Sequence, residues 1–383
     1  MNLINNEAAR QAVKAGLSRR SFGRIASVVG AASALPILNE AALAQLSSIG
    51  RIPSDAVKIN ANENPLGPCA EALEVMHKFT PLGGRYLYEE TFDFIKTVGS
   101  QEGVKPEYIK AYGGSSLPLH HVVMAFTGAD KSLVTADPGY EAAYRAATVV
   151  GAKYHLVPLK KTDYSHDVKA MYEADPNAGV YYICNPNNPS GTITPMKRLT
   201  GWWPTEGQPD PDSGTKAYIH LAPACPWAPI WWPSDEERRC ILRTFSKLYG
   251  MAGLRAGFAM ARPDLLKQFA KMDSGAISVT AMTGAHASIK NEKLVPQRAE
   301  IIRNIREDVF AFLDKKNFSY IPSVSNKFLL DVKMPAREFS AKMAAEKIYV
   351  GRAWPSMPTH SRVSIGTAEE MGKFKAALAK VMA

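Results

Sequence analysis

The sequence predicts an α/β protein: a mainly parallel sheet in a large domain, with a smaller α+β domain beside it. Two observations predict it. Between Ile109 and Ile183, short apolar runs alternate with helix-patterned runs, as strands joined by crossover helices do. After Pro263 the pattern changes to a long helix-rich stretch, a strand, a helix, a strand and a last helix. A third observation says where a ligand would sit. Loops rich in Gly, Ser, Asn and Pro follow several of the strands, and parallel sheets bind ligands where strands end. The expected division is an export signal over 1–44, an arm and part of the small domain over 45–85, the large domain over 86–285 and the small C-terminal domain over 286–383.

Taken in order, Asn60-Ala-Asn-Glu-Asn-Pro-Leu-Gly-Pro68 is a stiff polar loop ahead of a helix over Ala70–Phe79. Gly84-Arg-Tyr-Leu-Tyr88 is an aromatic loop before a helix over Glu90–Glu102. A strand over Ile109–Tyr112 runs into Gly113-Gly-Ser-Ser116 and then a helix over Pro118–Phe126. Such a junction turns backbone N–H groups and hydroxyls toward an anion at the positive end of the helix. The strand over Ser132–Ala136 ends in Asp137-Pro-Gly-Tyr140, followed by a helix over Glu141–Val150 and an extended run over Lys153–Pro158. The strand over Val180–Ile183 enters Cys184-Asn-Pro-Asn-Asn-Pro-Ser-Gly-Thr192, where two Asn-Pro steps forbid helix and present amide side chains at a strand end. Strands over Phe258–Ala261, Lys327–Val332 and Arg362–Ile365, and a helix from Ala368, complete the pattern.

The first 44 residues differ from the rest. Ser18-Arg-Arg-Ser-Phe22 is a twin-arginine pattern, followed by a small, apolar run from Ile25 to Leu38 and a cleavage-like Ala42-Leu-Ala44. That run is too short to span a bilayer, so the expectation is export by the twin-arginine machinery to the periplasm or beyond, with no permanent membrane anchor. The route serves proteins that take up a cofactor before export. The whole chain carries 46 basic and 36 acidic residues, and without the signal the excess is +7 (41 minus 34). It is spread out and not interleaved with aromatics, which argues against nucleic-acid binding and suits anionic small molecules. The four cysteines, Cys69, Cys184, Cys225 and Cys240, form no CxxC pair, which argues against a zinc site and a disulfide framework.

The stretch Arg243–Gly257 is the densest in chemistry. Glycines at 250, 253 and 257 make it a loop, and it holds Ser246, Lys247 and Arg255. A hydroxyl, an amine and a guanidinium together suit a phosphorylated carbonyl compound: the amine forms a Schiff base while the others hold phosphate. Asn-Pro-Asn-Asn-Pro-Ser-Gly, then Ala217-Tyr218, then Thr-Phe-Ser-Lys-x-x-Gly-x-x-Gly-x-Arg-x-Gly occur in that order. This series resembles the pyridoxal-phosphate aminotransferases of fold type I. Asn62-Glu-Asn-Pro-Leu-Gly-Pro68 makes the chain most similar to their histidinol-phosphate aminotransferase branch.

The resemblance implies a cofactor, pyridoxal 5'-phosphate, and exchange of an amino group between an L-amino acid, or an amino-phosphate such as histidinol phosphate, and a 2-oxo acid. Lys247 would hold the cofactor and carry the proton at the substrate Cα. Ser115, Ser116, Ser246 and Arg255 would bind its phosphate. Tyr140 would stack on its ring, and Asn188 and Tyr218 would bond its 3'-oxygen. Arg362 would grip the substrate carboxylate as a bidentate pair, Arg352 a second anionic group, and Asn64 lies in the substrate-side motif. Tyr86 would reach the phosphate of a neighbouring subunit, which implies a homodimer.

One stretch breaks the family pattern. Where the family has Asp-Glu-Ala-Tyr, this chain has Thr215-Lys-Ala-Tyr218. The absent aspartate keeps the pyridine nitrogen protonated and the ring an electron sink, and threonine carries no charge. Residues 200–239 also hold five of the six tryptophans and seven of the 26 prolines. Asp-Glu codons read one base late encode Thr-Lys, so two short out-of-frame stretches account for the break, as does a remodelled segment. Alternatives to transamination are another α-carbon reaction, decarboxylation or oxidation, and a remnant impaired in catalysis.

Overall fold

The computed structural model describes residues 52–195, 198–199, 230–231, 239–272 and 277–383. The signal, the cleavage site, Cys225, Thr215 and Tyr218 lie outside the described residues.

Seven strands form the main sheet: β2 (Ile109–Tyr112), β3 (Leu133–Asp137), β4 (Tyr154–Pro158), β5 (Val180–Tyr182), β6 (Ile230–Trp231), β7 (Arg239–Thr244) and β8 (Gly257–Ala261), in the order β2-β8-β7-β6-β5-β3-β4. The pairings of β5 with β3 and β3 with β4 are parallel, and the other four are antiparallel. Following those pairings across the sheet, β2, β3, β4, β5 and β7 all run one way, and β8 and the two-residue β6 run the other. The sheet is therefore mainly parallel in strand direction.

Period-two alternation puts successive side chains on opposite faces, and both faces are apolar. Cys240, Leu242, Ala259 and Ala261 belong to one core cluster with Val122, Val123, Ala143 and Ala146. These last four come from α3 (Ser116–Phe126) and α4 (Ala142–Val149). The intervening Ile241, Phe258 and Met260 belong to another cluster with Ala72, Phe94, Met282 and Ala285. These come from α1 (Ala70–Phe79), α2 (Tyr88–Glu102) and α7 (Val279–Lys290). The helix α5 (Val168–Ala174) packs Val168 and Met171 under β3–β5. Helices on both faces are what bury a sheet whose strands are apolar throughout.

The chain's end builds a second unit. Strands β9 (Ser319–Ile321), β10 (Lys327–Asp331) and β12 (His360–Ser364) form an antiparallel sheet in the order β12-β10-β9. The short β1 (Val57–Ile59) pairs in parallel with β11 (Ile348–Val350), so the segment just after residue 52 packs with the last forty residues. Around these strands lie α8 (Leu294–Lys315), α9 (Ala336–Ala345) and α10 (Ala368–Val381), whereas α6 (Pro263–Ala270) packs on α3 and β8 of the main sheet. Their ends follow local chemistry. Pro263 opens α6, where a missing N–H costs nothing. Thr367 and Glu370 form a reciprocal capping box at the start of α10. No helix of the described residues is long and apolar enough to cross a membrane.

Candidate active site

Because β2, β3, β5 and β7 run the same way, the loops that follow them emerge along one edge of the sheet. Those loops are Gly113–Ser116, Pro138–Tyr140, Cys184–Thr192 and Phe245–Lys247. They carry Ser115, Ser116, Tyr140, Asn188, Ser246 and Lys247, half of the residues that the sequence singles out.

Hydrogen bonds and close contacts join these loops in a closed circuit. The Ser116 hydroxyl lies 3.0 Å from the Tyr140 hydroxyl. Before α3, Gly114 has φ +91°, and a Cβ there would sit 2.9 Å from the Arg255 Cζ. Only glycine allows both that backbone and that approach. Arg255 itself has φ +65° and donates from Nη1 to the Ser246 hydroxyl at 3.1 Å and to the Ala252 carbonyl at 2.8 Å. Ser246 is fixed in turn by the Thr244 hydroxyl, which donates to its Oγ at 2.8 Å. Burial holds the Arg255 guanidinium below its ordinary range, and the Tyr140 hydroxyl opposes that shift. A buried cation of this kind is stabilised by an anion beside it.

Next to Ser246, the buried Lys247 donates from Nζ to the Asn62 carbonyl at 3.0 Å. The turn after Lys247 is fixed by Asn64, whose Nδ2 donates to the Leu248 carbonyl at 2.8 Å, and by Gly250 at φ +69°, where a Cβ would strike the Gly67 backbone. Asn62 has φ +54°. Its Nδ2 faces the Asn188 Oδ1 at 3.4 Å, and the same oxygen accepts from Arg362 Nη1 at 3.0 Å. Arg362 is wholly buried, and its Nη2 donates to the Asn60 carbonyl at 2.8 Å. The Arg362 guanidinium stands 5.5 Å over the Trp354 ring. Trp354 donates from Nε1 to the Gly139 carbonyl at 2.9 Å, which returns the circuit to Tyr140.

Two predicted site residues stand differently. Arg352 lies on the circuit through Trp354, with its guanidinium 4.7 Å from that ring. It is also in a buried ion pair, both Nε (at 3.0 Å) and Nη2 donating to one oxygen of Glu141. Tyr86 lies off the circuit: it is 70% exposed and stacks on Tyr88 with ring centroids 5.6 Å apart.

A profile of the family described as aminotransferase class I and II matches residues 50–201 and 215–378. The chain belongs to the class I and II aminotransferases. It is accordingly an enzyme, a pyridoxal-phosphate-dependent aminotransferase. The interruption at 202–214 falls inside the tryptophan-rich stretch, and the match resumes at Thr215. The histidinol-phosphate aminotransferase 2 of Methylococcus capsulatus is 30% identical over 339 residues, which cover 85% of this chain and 90% of that protein. The histidinol-phosphate aminotransferase of Moorella thermoacetica is 27% identical over 336 residues, 86% of each chain. In fold, the chain is similar to the histidinol-phosphate aminotransferase of Sinorhizobium meliloti in complex with pyridoxal-5'-phosphate. That likeness has a TM-score of 0.77 and 23% identity, and covers 91% of this chain and 96% of that one.

The aminotransferase's donor set fits the cofactor. Arg255 supplies a cation, Ser246 and Ser116 supply hydroxyls, and the N-terminus of the eleven-residue α3 supplies backbone N–H groups. Ser115, at the cap position of α3, makes no side-chain cap bond. The missing side chain at Gly114 lets the Arg255 guanidinium sit against this helix end, where a phosphate would need a cation.

Three site residues were not foreseen from sequence. Glu141 gave no signal beyond following Tyr140. Asn326 donates to the same Asn62 carbonyl as Lys247, at 3.3 Å, and no motif marked it. Trp354 could have been found: it is the sole tryptophan outside residues 200–239, which left it the one aromatic of its kind in an otherwise regular domain.

Proposed function

We propose that this aminotransferase takes up its cofactor inside the cell and is exported folded through the twin-arginine route. In the periplasm or beyond, as a homodimer, it exchanges an amino group between an L-amino acid and a 2-oxo acid. The circuit that closes around Lys247 and Arg362 carries the reading. Bound there, pyridoxal phosphate supplies a carbonyl carbon for an amine and an electron-withdrawing ring that acidifies the substrate Cα–H.

The chain's own groups do the rest. Lys247 would be the nucleophile that holds the cofactor and, once released, the base that would move the proton between the substrate Cα and the cofactor C4'; a buried amine suits both tasks. Arg255, Ser246, Ser115 and Ser116 anchor the phosphate end, and Tyr140 orients the ring. With its oxygen held by Arg362, Asn188 has its amide NH2 to donate toward the 3'-oxygen, with Tyr218 as the second donor. Arg362 receives the substrate carboxylate. Asn64 acts through the Lys247 turn that it braces. Thr215 gives the ring nitrogen no counter-charge, so slow turnover is expected.

The exposed Tyr86, Tyr88, Phe92 and Leu82 form an aromatic and apolar face that supports the dimer, with Tyr86 reaching a neighbouring phosphate. Histidinol phosphate is what the curated relatives' names point to, and export argues for a role outside histidine biosynthesis. The test is direct. Purified protein should show cofactor absorbance that disappears in Lys247→Ala, and that absorbance should change when an amino acid is added. Absorbance that survives Lys247→Ala unaltered would remove Lys247 from its role.

A further inference from the structure

The Arg352–Glu141 pair lies next to the arginine expected to hold the substrate carboxylate. Arg352 lies beside Arg362 in the fold: the Arg362 N–H donates to the Arg352 carbonyl at 3.4 Å, and both guanidiniums face Trp354. A substrate whose carboxylate sits at Arg362 would therefore have the second arginine close at hand. Alone, Arg352 would be a receptor for a second anion. It is not alone. Its Nε and Nη2 are both committed to Glu141, and the two side chains are 8% and 9% exposed.

We propose that Glu141 is a specificity-determining residue that neutralises Arg352. The site would then accept amino acids with uncharged or cationic side chains and reject those that carry a second carboxylate or a phosphate. This rests on the transaminase reading above and narrows its substrate class.

The physical argument is one of repulsion as well as occupancy. An incoming phosphate would have to displace a carboxylate from a nearly dry ion pair, and the displaced carboxylate would remain beside it. Like charges brought together in such a setting repel strongly, and selectivity of this kind is set by what the site repels. Arg145, on the same helix one turn on, donates its backbone N–H to the Glu141 carbonyl at 3.1 Å. The helix thus fixes Glu141 at the start of α4. Tyr144 is pushed up to about 12 by burial first and by the Glu141 charge second, as expected beside a charged carboxylate.

The experiment compares matched amino acids on the cofactor-loaded full chain: L-glutamine with L-glutamate, and L-serine with O-phospho-L-serine, each of which keeps the α-carboxylate for Arg362. Dissociation constants come from spectral titration and rates from single turnovers. The unsubstituted protein should favour the uncharged member of each pair. Glu141→Gln keeps the shape and removes the charge; it should strengthen binding of the anionic member at least about tenfold and leave the other within about twofold. Glu141→Ala serves as the second variant and should shift the ratio in the same direction. Equal ratios in all three proteins, or an unsubstituted protein that already prefers the anionic member, would overturn the proposal. The failure of the underlying reading looks different: no cofactor absorbance in the unsubstituted protein, which would remove both.

Discussion

At the scale of single residues, the site depends on backbone positions that few side chains tolerate. Gly114 at φ +91° leaves the Arg255 guanidinium its place beside the α3 N-terminus. In Gly114→Ala the new methyl would overlap that guanidinium and force it away from Ser246. The expected result is cofactor binding weakened by about tenfold or more, equivalent to the loss of a charge-assisted hydrogen bond, together with some loss of stability from the left-handed backbone that alanine resists. Equilibrium dialysis against pyridoxal phosphate measures it, and unchanged binding would show that Arg255 is not held by this hollow. Sequence could place Lys247, Ser246 and Arg255 together because they are close along the chain. It could not place Asn62 beneath Lys247 across 185 residues, since that contact exists only after β1 docks on β11.

At the scale of elements, strands and helices are joined by few but costly polar contacts. Arg243 on β7 is buried, and its Nη2 meets both carboxylate oxygens of Glu102, the last residue of α2, at 2.7 Å. Burial pulls Arg243 down to about 10, with the Glu102 charge acting against that fall. Removing one member of such a pair leaves an uncompensated charge, so Glu102→Ala should destabilise the fold by about 3–5 kcal/mol. A denaturant midpoint measures this, and a loss under about 1 kcal/mol would show the pair to be dispensable. The element pattern was legible where elements are long. The strands β2 and β8 and helix α1 fall at or within a residue of where period and turn residues put them. The three-residue β1, β9 and β11 were not foreseen, because three residues are too few for an alternation to show.

At the scale of the whole molecule, burial of neutral histidines ties stability to pH. His166 is enclosed, with Nδ1 2.7 Å from the Thr194 hydroxyl, and burial lowers it to about 4 from an ordinary 6.5. His120 is lowered to about 4 as well, by burial first and then by neighbouring His121. Between these values the unfolded chain binds protons that the folded chain does not. The stability associated with each neutral ring is therefore complete above about 6.5 and is lost progressively as pH falls to about 4, by up to about 3 kcal/mol apiece. Urea midpoints taken from pH 7.5 down to 4.5 should fall, and His166→Gln should fall less steeply. Parallel profiles for the two proteins would show that His166 does not titrate as burial predicts.

The sequence by itself determined the fold class, the family and the set of residues proposed to hold a phosphorylated cofactor. These follow from local chemistry: turn residues at strand ends, apolar periods, and a lysine, serine and arginine within one loop. Only the tertiary structure decided what surrounds them. It set Arg362 against Asn188 and Asn60, closed the circuit through Trp354, and paired Arg352 with Glu141. Those partners lie 174 or more residues apart. Strand order and burial, which no local pattern encodes, are what bring them within reach of one another.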